Sequence, residues 1–449
     1  MRPHSFLDLL QPYSTNVAIN WNEEQYSYDR ILSSIAWCVK SFSDAGISAG
    51  SIVALEGDYS PITIASLLAL LDLRAITVPQ CYSMRLDAKT KYAISGVQYV
   101  ISVDRFDKIS LVKRQSRVQI NKYYKTIING GHPGLVLFTS GTSGEPKAAV
   151  HNLSKLLEKF HTKRRQLRTL NFLLFDHWGG LNTLFHTLSN GGEVFGVENR
   201  SPATVCAMIE KYKIQLLPTS PTFLNLMFLS KAHKKYDLRS LKIISYGTES
   251  MPERTLAIAK SVFSTVQLHQ TYGLIEVGVL RSKSRPDGSI WMKIGGEGYK
   301  WRIRNGVLQI KSNSAMLGYI NAPAPFTDDG WFITGDLVEQ DGEYLKILGR
   351  KSDLINVGGE KVYPGEVEDA ILRLPWVKQV SVYGEKNPLM GNIVCALVKT
   401  VDDLEDYQKA KQDIKRYCQD RLEKHKVPIR INFSDKELHS TRFKLMRPS

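Results

Sequence analysis

The run Thr139-Ser140-Gly141-Thr142-Ser143-Gly144-Glu145-Pro146-Lys147 carries the clearest chemistry in this sequence. An apolar stretch, Leu135 to Phe138, leads into hydroxyl side chains and two glycines. Successive backbone N–H groups can therefore converge on an anion with no side chain in the way. The stretch reads as a phosphate cradle. Lys147 adds a mobile point charge, and Pro146 stiffens the exit of a loop that would otherwise lose entropy on gripping a ligand. The spacing excludes a Walker loop, which needs G-x-x-x-x-G-K-[ST], because Ala148 follows Lys147 and the nearest glycine is Gly144. A second candidate is Asp176-His177-Trp178-Gly179-Gly180, where adjacent glycines at the end of an expected strand let a ligand approach the backbone.

Thr139 to Lys147 resemble, position by position, the signature loop of the acyl-adenylate-forming superfamily: acyl- and aryl-CoA ligases, luciferases and adenylation domains of peptide synthetases. Only Ala148 departs, where glycine is usual. Further motifs follow in the family's order. Gln270 to Glu276 resemble Y-G-x-T-E, which implies that Tyr272 stacks on adenine and Glu276 holds Mg²⁺; Ile275 replaces the threonine that contacts the α-phosphate. Gly247-Thr248-Glu249 would lie against the adenine ring. Phe332 to Asp336 match Y-x-T-G-D, making Asp336 the acceptor for both ribose hydroxyls, and Arg350 would contact the ribose. His177 to Gly180 resemble the H-x-G-G wall of the acid pocket, to which Asp176, Thr271 and Gly273 are also assigned. Phe175-Asp176 further matches the pair that anchors a substrate ammonium in amino-acid-activating relatives, although the rest of that pattern is absent. Ser440 to Arg447 resemble the tail T-x-x-G-K-x-x-R, whose lysine, here Lys444, reaches the carboxylate and α-phosphate; Phe443 stands where glycine is usual. The resemblance thus assigns catalysis to Lys444, Glu276, Thr142 and Lys147, and ATP binding also to Thr139, Ser140, Gly141, Ser143 and Gly144.

The composition suits such an enzyme. The chain has 449 residues, 43% hydrophobic and 23% charged, which describes a folded globular protein with a large core. Cys38, Cys81, Cys206, Cys395 and Cys418 are scattered, without C-x-x-C spacing, so neither a disulfide framework nor a zinc site is indicated and a reducing compartment is expected. The first residues lack the apolar core of a signal peptide, and Ile62 to Leu73 is too short to span a bilayer. A cytoplasmic enzyme without a transmembrane segment is expected. The net charge is +15, with most of the excess before Arg350, so it forms no nucleic-acid-binding tail.

Periodicity supplies the elements that position these residues. Tyr26 to Phe42 has apolar residues at helical spacing, Ile52 to Leu55 and Ala75 to Pro79 read as buried strands, and Ile62 to Leu73 between them as a core helix. Strand, helix, strand implies a parallel sheet with a right-handed crossover. Leu153 to Lys163 is expected as a helix and Thr169 to Phe175 as a strand. The expected fold is α/β: a large N-terminal domain of layered, parallel-rich sheets and helices over residues 1–349, and a small mobile α+β domain over 350–449. In the family the boundary is a hinge, placed here at Ser352, and Gly358-Gly359 lines the thiol tunnel.

The expected activity is ATP-dependent conversion of a carboxylic acid to an acyl-adenylate with release of pyrophosphate, then transfer to a thiol, with coenzyme A or a carrier-protein phosphopantetheine as acceptor. Two alternatives stay open: an enzyme that loads an acyl carrier protein, and a non-catalytic nucleotide- or adenylate-binding protein. Neither the acid nor the oligomeric state is legible.

Overall fold

Ser60 caps the helix Pro61–Asp72 by accepting from the Thr63 N–H, and Pro61 occupies the first turn, where its missing donor costs nothing. Nearly every side chain of this helix is buried, so it lies inside the protein between layers. It connects the parallel strands Ile52–Gly57 and Ile76–Cys81, both buried along their whole length. The computed structural model in which these elements are seen describes residues 5–82, 88–115, 120–139 and 145–448.

Ile52–Gly57 and Ile76–Cys81 lie at the centre of a seven-stranded sheet that also contains Gly134–Thr139 and Tyr99–Val103 in parallel, with Lys147–Asn152 and Ile109–Lys113 added antiparallel. A second seven-stranded sheet is parallel through Gln267–Gln270, Ile243–Tyr246, Leu216–Thr219, Arg168–Asn171, Glu193–Gly196 and Val17–Trp21, and only its edge strand Glu24–Ser27 is antiparallel. A six-stranded antiparallel sheet includes Val307–Ser312, Phe332–Asp341 and Tyr344–Arg350. One continuous apolar cluster, running from Phe6 through Leu67, Trp178 and Leu308 to Leu345, joins the three sheets.

After Arg350 a single turn, Lys351–Asp353, leads to a lobe with its own core around Val362, Ile371, Val382 and Ile414. The hairpin Ile355–Val357 and Glu360–Val362, the helix Pro364–Leu372, the strands Val377–Asn387 and Gly391–Thr400 and the helix Tyr407–Gln419 follow, an α+β unit. Arg350 itself pairs with Asp336 inside the six-stranded sheet, so the strand of the large lobe runs one residue past the expected boundary.

Two expected elements are shorter than their apolar runs. The helix after the glycine loop covers only Leu153–Leu157 and tightens into a 3₁₀ turn, Glu158–His161, that turns Phe160 into the core. The strand expected to reach Phe175 ends at Asn171. Beyond it the Phe172 N–H turns back to the Leu170 carbonyl and Arg200 takes the Phe172 carbonyl, so the ladder has no partner to continue with.

Candidate active site

The parallel strands Leu216–Thr219, Ile243–Tyr246 and Gln267–Gln270 end side by side, and their C-terminal ends open into a crevice, the usual place for a ligand in an α/β sheet. Gly247 follows at once. A Cβ there would stand 2.3 Å from the Thr271 hydroxyl, so only glycine lets these two strand ends close up. Thr248 then adopts φ +73°, which exposes its side chain at the mouth of the crevice.

Asp336 and Arg350 face each other across antiparallel strands. Arg350 Nε lies 2.8 Å from Asp336 Oδ1, and the Tyr272 hydroxyl donates to Oδ2 at 2.5 Å. Arg350 Nη1 also donates to the Thr334 carbonyl at 2.7 Å. Burial pushes the Asp336 carboxyl upward, against the opposing pull of Arg350 and the Tyr272 bond, and burial beside Asp336 raises the Tyr272 phenol well above its usual range. The result is a fixed carboxylate with a cation and an aromatic ring on either side, brought together from three sequence segments.

Ser140, Gly141, Thr142, Ser143 and Gly144 lie outside the described residues. On either side of them, Thr139 pairs with Lys147 at the end of an antiparallel ladder that begins at Gly134 and Asn152. The loop therefore joins two strands, whereas a Walker loop joins a strand to a helix. Asn321 secures its exit, accepting from the Ala148 N–H at 3.0 Å and donating to the Pro146 carbonyl at 3.0 Å. Sequence reading missed Asn321; its only signal was its position two residues after Tyr319, in the element that pairs with Lys147–Asn152. Lys147 Nζ sits 5.8 Å from the centre of the Tyr319 ring, and the Tyr319 hydroxyl donates to Glu276 Oε1 at 2.6 Å. Among the described residues no cluster of three or more His, Cys, Asp or Glu is arranged to hold a metal. The half-buried Glu276 carboxylate, a hard oxygen donor, fits the one-carboxylate mode in which Mg²⁺ is otherwise held by phosphates and water.

Next to this crevice a cavity of about 80 Å³ is lined by His177, Trp178 and Gly179 on one side and by Gly247, Thr271, Gly273 and Ile275 on the other. His177 caps the helix Trp178–Ser189 by accepting from the Gly179 N–H, and burial together with Arg442 lowers its pKa to about 4, so the ring is neutral. Two residues assigned to this pocket are not among those lining it. Asp176 is 4% exposed and turns to Arg442, whose Nη2 is 2.9 Å away, and to the Cys81 thiol at 3.5 Å, so its carboxylate offers no counter-charge to a substrate ammonium in the cavity. Gly180 is a packing glycine, because a Cβ there would be 2.2 Å from both the Leu174 carbonyl and the Tyr59 hydroxyl.

The tail closes the crevice from the other lobe. A tight turn, with Ser440 N–H bonded to the Lys444 carbonyl and Phe443 N–H to the Ser440 carbonyl, sets Phe443 at φ +51°. That is the left-handed backbone glycine would supply, retained here by a phenylalanine. The strain is offset by packing: the Phe443 ring lies 5.4 Å from Phe172 and from Phe223 in the large lobe and stacks on His439 at 5.2 Å. Ser220 donates to the Phe443 carbonyl, and the Leu445 N–H donates to Glu249 Oε2. Glu249 thus spends its carboxylate on the Thr222 and Leu445 N–H groups, with its pKa raised by burial. Lys444 keeps part of its surface in solvent, yet desolvation and Arg350 lower its pKa while Glu249, Asp336 and Asp353 pull the other way, which puts its ammonium in the same field as the Asp336–Arg350 pair. Ser352 is exposed in the interlobe turn. Gly358 and Gly359 are exposed at a hairpin tip, where a Cβ on Gly359 would meet nothing within 4 Å.

The family described as AMP-binding enzyme matches residues 10–295, and the AMP-binding enzyme C-terminal domain matches 366–444. The chain belongs to this family, the acyl-adenylate-forming superfamily. Indoleacetate–CoA ligase of Aromatoleum aromaticum is 26% identical over 95% of this chain and 92% of its own length. 2-Succinylbenzoate–CoA ligase of Geobacillus sp. is 24% identical over 96% and 93%. Among solved structures, the anthranilate CoA ligase AuaEII in complex with anthranoyl-AMP superposes with a TM-score of 0.84 at 17% identity, covering 98% of this chain and 95% of that one, which establishes the shared fold.

Proposed function

We propose that this AMP-forming acid–thiol ligase assembles its adenylation site from the crevice just described, with coenzyme A as the second substrate. The observation that supports this most is the convergence of Tyr272 and Arg350 on the Asp336 carboxylate beside a small cavity, with the residues flanking Lys444 in the tail, Phe443 and Leu445, hydrogen-bonded to the large lobe. Asp336 takes the ribose hydroxyls, since an ionised carboxylate only accepts. Tyr272 and the Gly247–Glu249 turn form the walls for adenine. Thr139 to Gly144 and Lys147 take the phosphates, and Glu276 would hold Mg²⁺, which would supply neutralisation of phosphate charge there.

A carboxylate is already nucleophilic at neutral pH, so the first step needs no general base. One carboxylate oxygen attacks the α-phosphorus; the bond to the β-phosphate oxygen breaks and pyrophosphate leaves. Two anions must meet in line, so the chain's contribution is positioning and charge compensation. Lys444 supplies the cation on the α-phosphate side and Lys147 the one at the loop exit. In the second step a thiolate attacks the acyl carbon and AMP leaves with the bonding pair of the mixed anhydride. Ser352 is assigned the hinge between these steps, and Gly358-Gly359 the approach of the thiol after the lobes have rotated. Coenzyme A is preferred to a carrier protein because the curated relatives at full length are CoA ligases.

Acid-dependent exchange of labelled pyrophosphate into ATP, run over fatty, aryl and amino acids, tests the first step. Exchange with at least one acid, followed by thioester formation with free coenzyme A, is expected. Thioester only with a carrier protein would move the acceptor assignment, and ATP binding without any exchange would leave a binding protein.

A further inference from the structure

The cavity beside the nucleotide crevice has walls of mixed character. Three of its lining residues carry polar atoms that are buried and unmatched among the described residues: Trp178 Nε1, Asn182 Oδ1 and Thr219 Oγ1. Trp178 and Thr219 are 1% and 2% exposed. Trp178 and Asn182 stand on the helix Trp178–Ser189, and Thr219 ends the strand Leu216–Thr219, so the three polar atoms belong to two elements that border one space. A buried donor or acceptor left unpaired is costly, and such groups in a native structure call for a partner. The cavity lining includes no lysine, arginine or carboxylate, and its one titratable side chain, His177, is neutral. Asp176, the nearest carboxylate in sequence, is occupied by Arg442.

Building on the acid-activating reading above, we infer that the substrate is a compact, uncharged-tailed carboxylic acid bearing a hydroxyl group, with the hydroxyl matched by Trp178, Thr219 and Asn182. The chemistry selects the substituent. Indole N–H only donates and so requires an acceptor, the Asn182 carbonyl oxygen requires a donor, and the threonine hydroxyl takes either. A hydroxyl is both at once. An ammonium would find no counter-charge in the cavity, a second carboxylate would find no cation, and a long alkyl chain would bury the three polar atoms against hydrocarbon. Size points the same way: about 80 Å³ is less than the roughly 150 Å³ apolar cavity that holds benzene, so the tail is at most about one ring. A site built to pair with a substrate hydroxyl rejects the analogue lacking it far more strongly than a greasy pocket rejects an extra methylene.

The test is pyrophosphate exchange with matched pairs: 3-hydroxybutanoate against butanoate, and the three monohydroxybenzoates against benzoate, with dodecanoate and glycine as outliers. At least one hydroxy acid is expected to exceed its parent at least tenfold in kcat/KM. Asn182→Leu and Thr219→Val, which remove the polar atom at nearly constant shape, are each expected to cut that ratio tenfold or more. Thermal-shift titration of the same acids on wild type and variants reads the pocket without the chemistry. Parent acids matching or beating every hydroxy acid, or a preference that survives both substitutions, would overturn the inference while leaving the ligase intact. Absence of exchange with every acid overturns the ligase reading instead, and the thermal shifts then decide the pocket: stabilisation by a hydroxy acid, lost in both variants, upholds the hydroxyl match, and equal shifts with the parent refute it.

Discussion

Arg442 and Asp176 stand 266 residues apart, yet Arg442 Nη2 lies 2.9 Å from Asp176 Oδ2. One partner is in the tail of the small lobe and the other in the large lobe, just before His177 and the helix Trp178–Ser189, so the pair fastens the tail that carries Lys444 to the large lobe. Asp176 is almost fully buried, whereas the Arg442 side chain is 29% exposed. Removing the arginine leaves a buried carboxylate with one thiol for company, a loss on the order of 2–3 kcal/mol after allowing for solvent at Arg442. Arg442→Gln is therefore expected to loosen the lobes, seen as a larger radius of gyration by X-ray scattering and faster tryptic cleavage near Lys351. An unchanged scattering profile would show that the pair does not hold the lobes together.

Phe443 makes a second lobe contact, and its two features pull in opposite directions. Phe443→Gly relieves a left-handed backbone worth about 1 kcal/mol but deletes a ring packed on Phe172 and Phe223, which costs more. The substitution is expected to lower pyrophosphate exchange about tenfold and to affect acyl transfer from a supplied acyl-adenylate much less. Equal loss in both half-reactions would contradict a role in docking the tail.

Lys444 is expected to be the group whose loss hurts adenylation most, by roughly 10² to 10³ in kcat, the scale of removing one preorganised stabiliser. Its pKa is lowered by desolvation and by Arg350. The active form is the ammonium, so exchange should fall as pH rises through a value below that of an ordinary lysine. Lys444→Arg should move this alkaline limb upward, and a limb that stays in place would assign it elsewhere.

His151 is buried and His177 and His186 are half-buried, and desolvation lowers their pKa values to about 3, 4 and 4. Between roughly pH 6.5 and 4 the unfolded chain binds protons that the folded chain refuses, so stability rises with pH there and is lost on acidification. Each histidine contributes on the order of 3–4 kcal/mol at the acid end of that window. His151, with neither ring nitrogen hydrogen-bonded among the described residues, is the cleanest case. Urea denaturation should show His151→Leu gaining stability over wild type at pH 5 and gaining far less at pH 8.

Two glycines separate packing from chain freedom. Gly180→Ala forces a methyl group to within 2.2 Å of a carbonyl and a tyrosine hydroxyl, and should cost about 3 kcal/mol. Gly365 in the helix Pro364–Leu372 meets nothing within 4 Å, and its alanine variant should be neutral or stabilised by a few tenths of a kcal/mol. Melting temperatures of the two variants check both signs.

Periodicity located the buried strands and the core helix Pro61–Asp72, because a chain segment covered on both sides writes its environment into an unbroken apolar run. It overran at Phe172 to Phe175, where an apolar run continues through a loop whose carbonyl is held by Arg200 from a distant segment. The family motifs pointed to Tyr272, Asp336 and Arg350, but their mutual hydrogen bonds depend on strand register, which local sequence does not carry. The same limit hid Asn321, a long-range clamp, and the pairing of Asp176 with Arg442, for which Phe175-Asp176 gave no sign. The three unmatched polar atoms of the cavity come from elements about 40 residues apart and became a group only once the sheet was assembled.

The central claim is that separated segments of both lobes close on one magnesium nucleotide. A crystal structure with a non-hydrolysable MgATP analogue tests it directly. The account predicts ribose hydroxyls on Asp336, adenine between Tyr272 and the Gly247–Glu249 turn, and Lys444 within reach of the α-phosphate. A nucleotide bound elsewhere, with Asp336 still sealed between Tyr272 and Arg350, would contradict it.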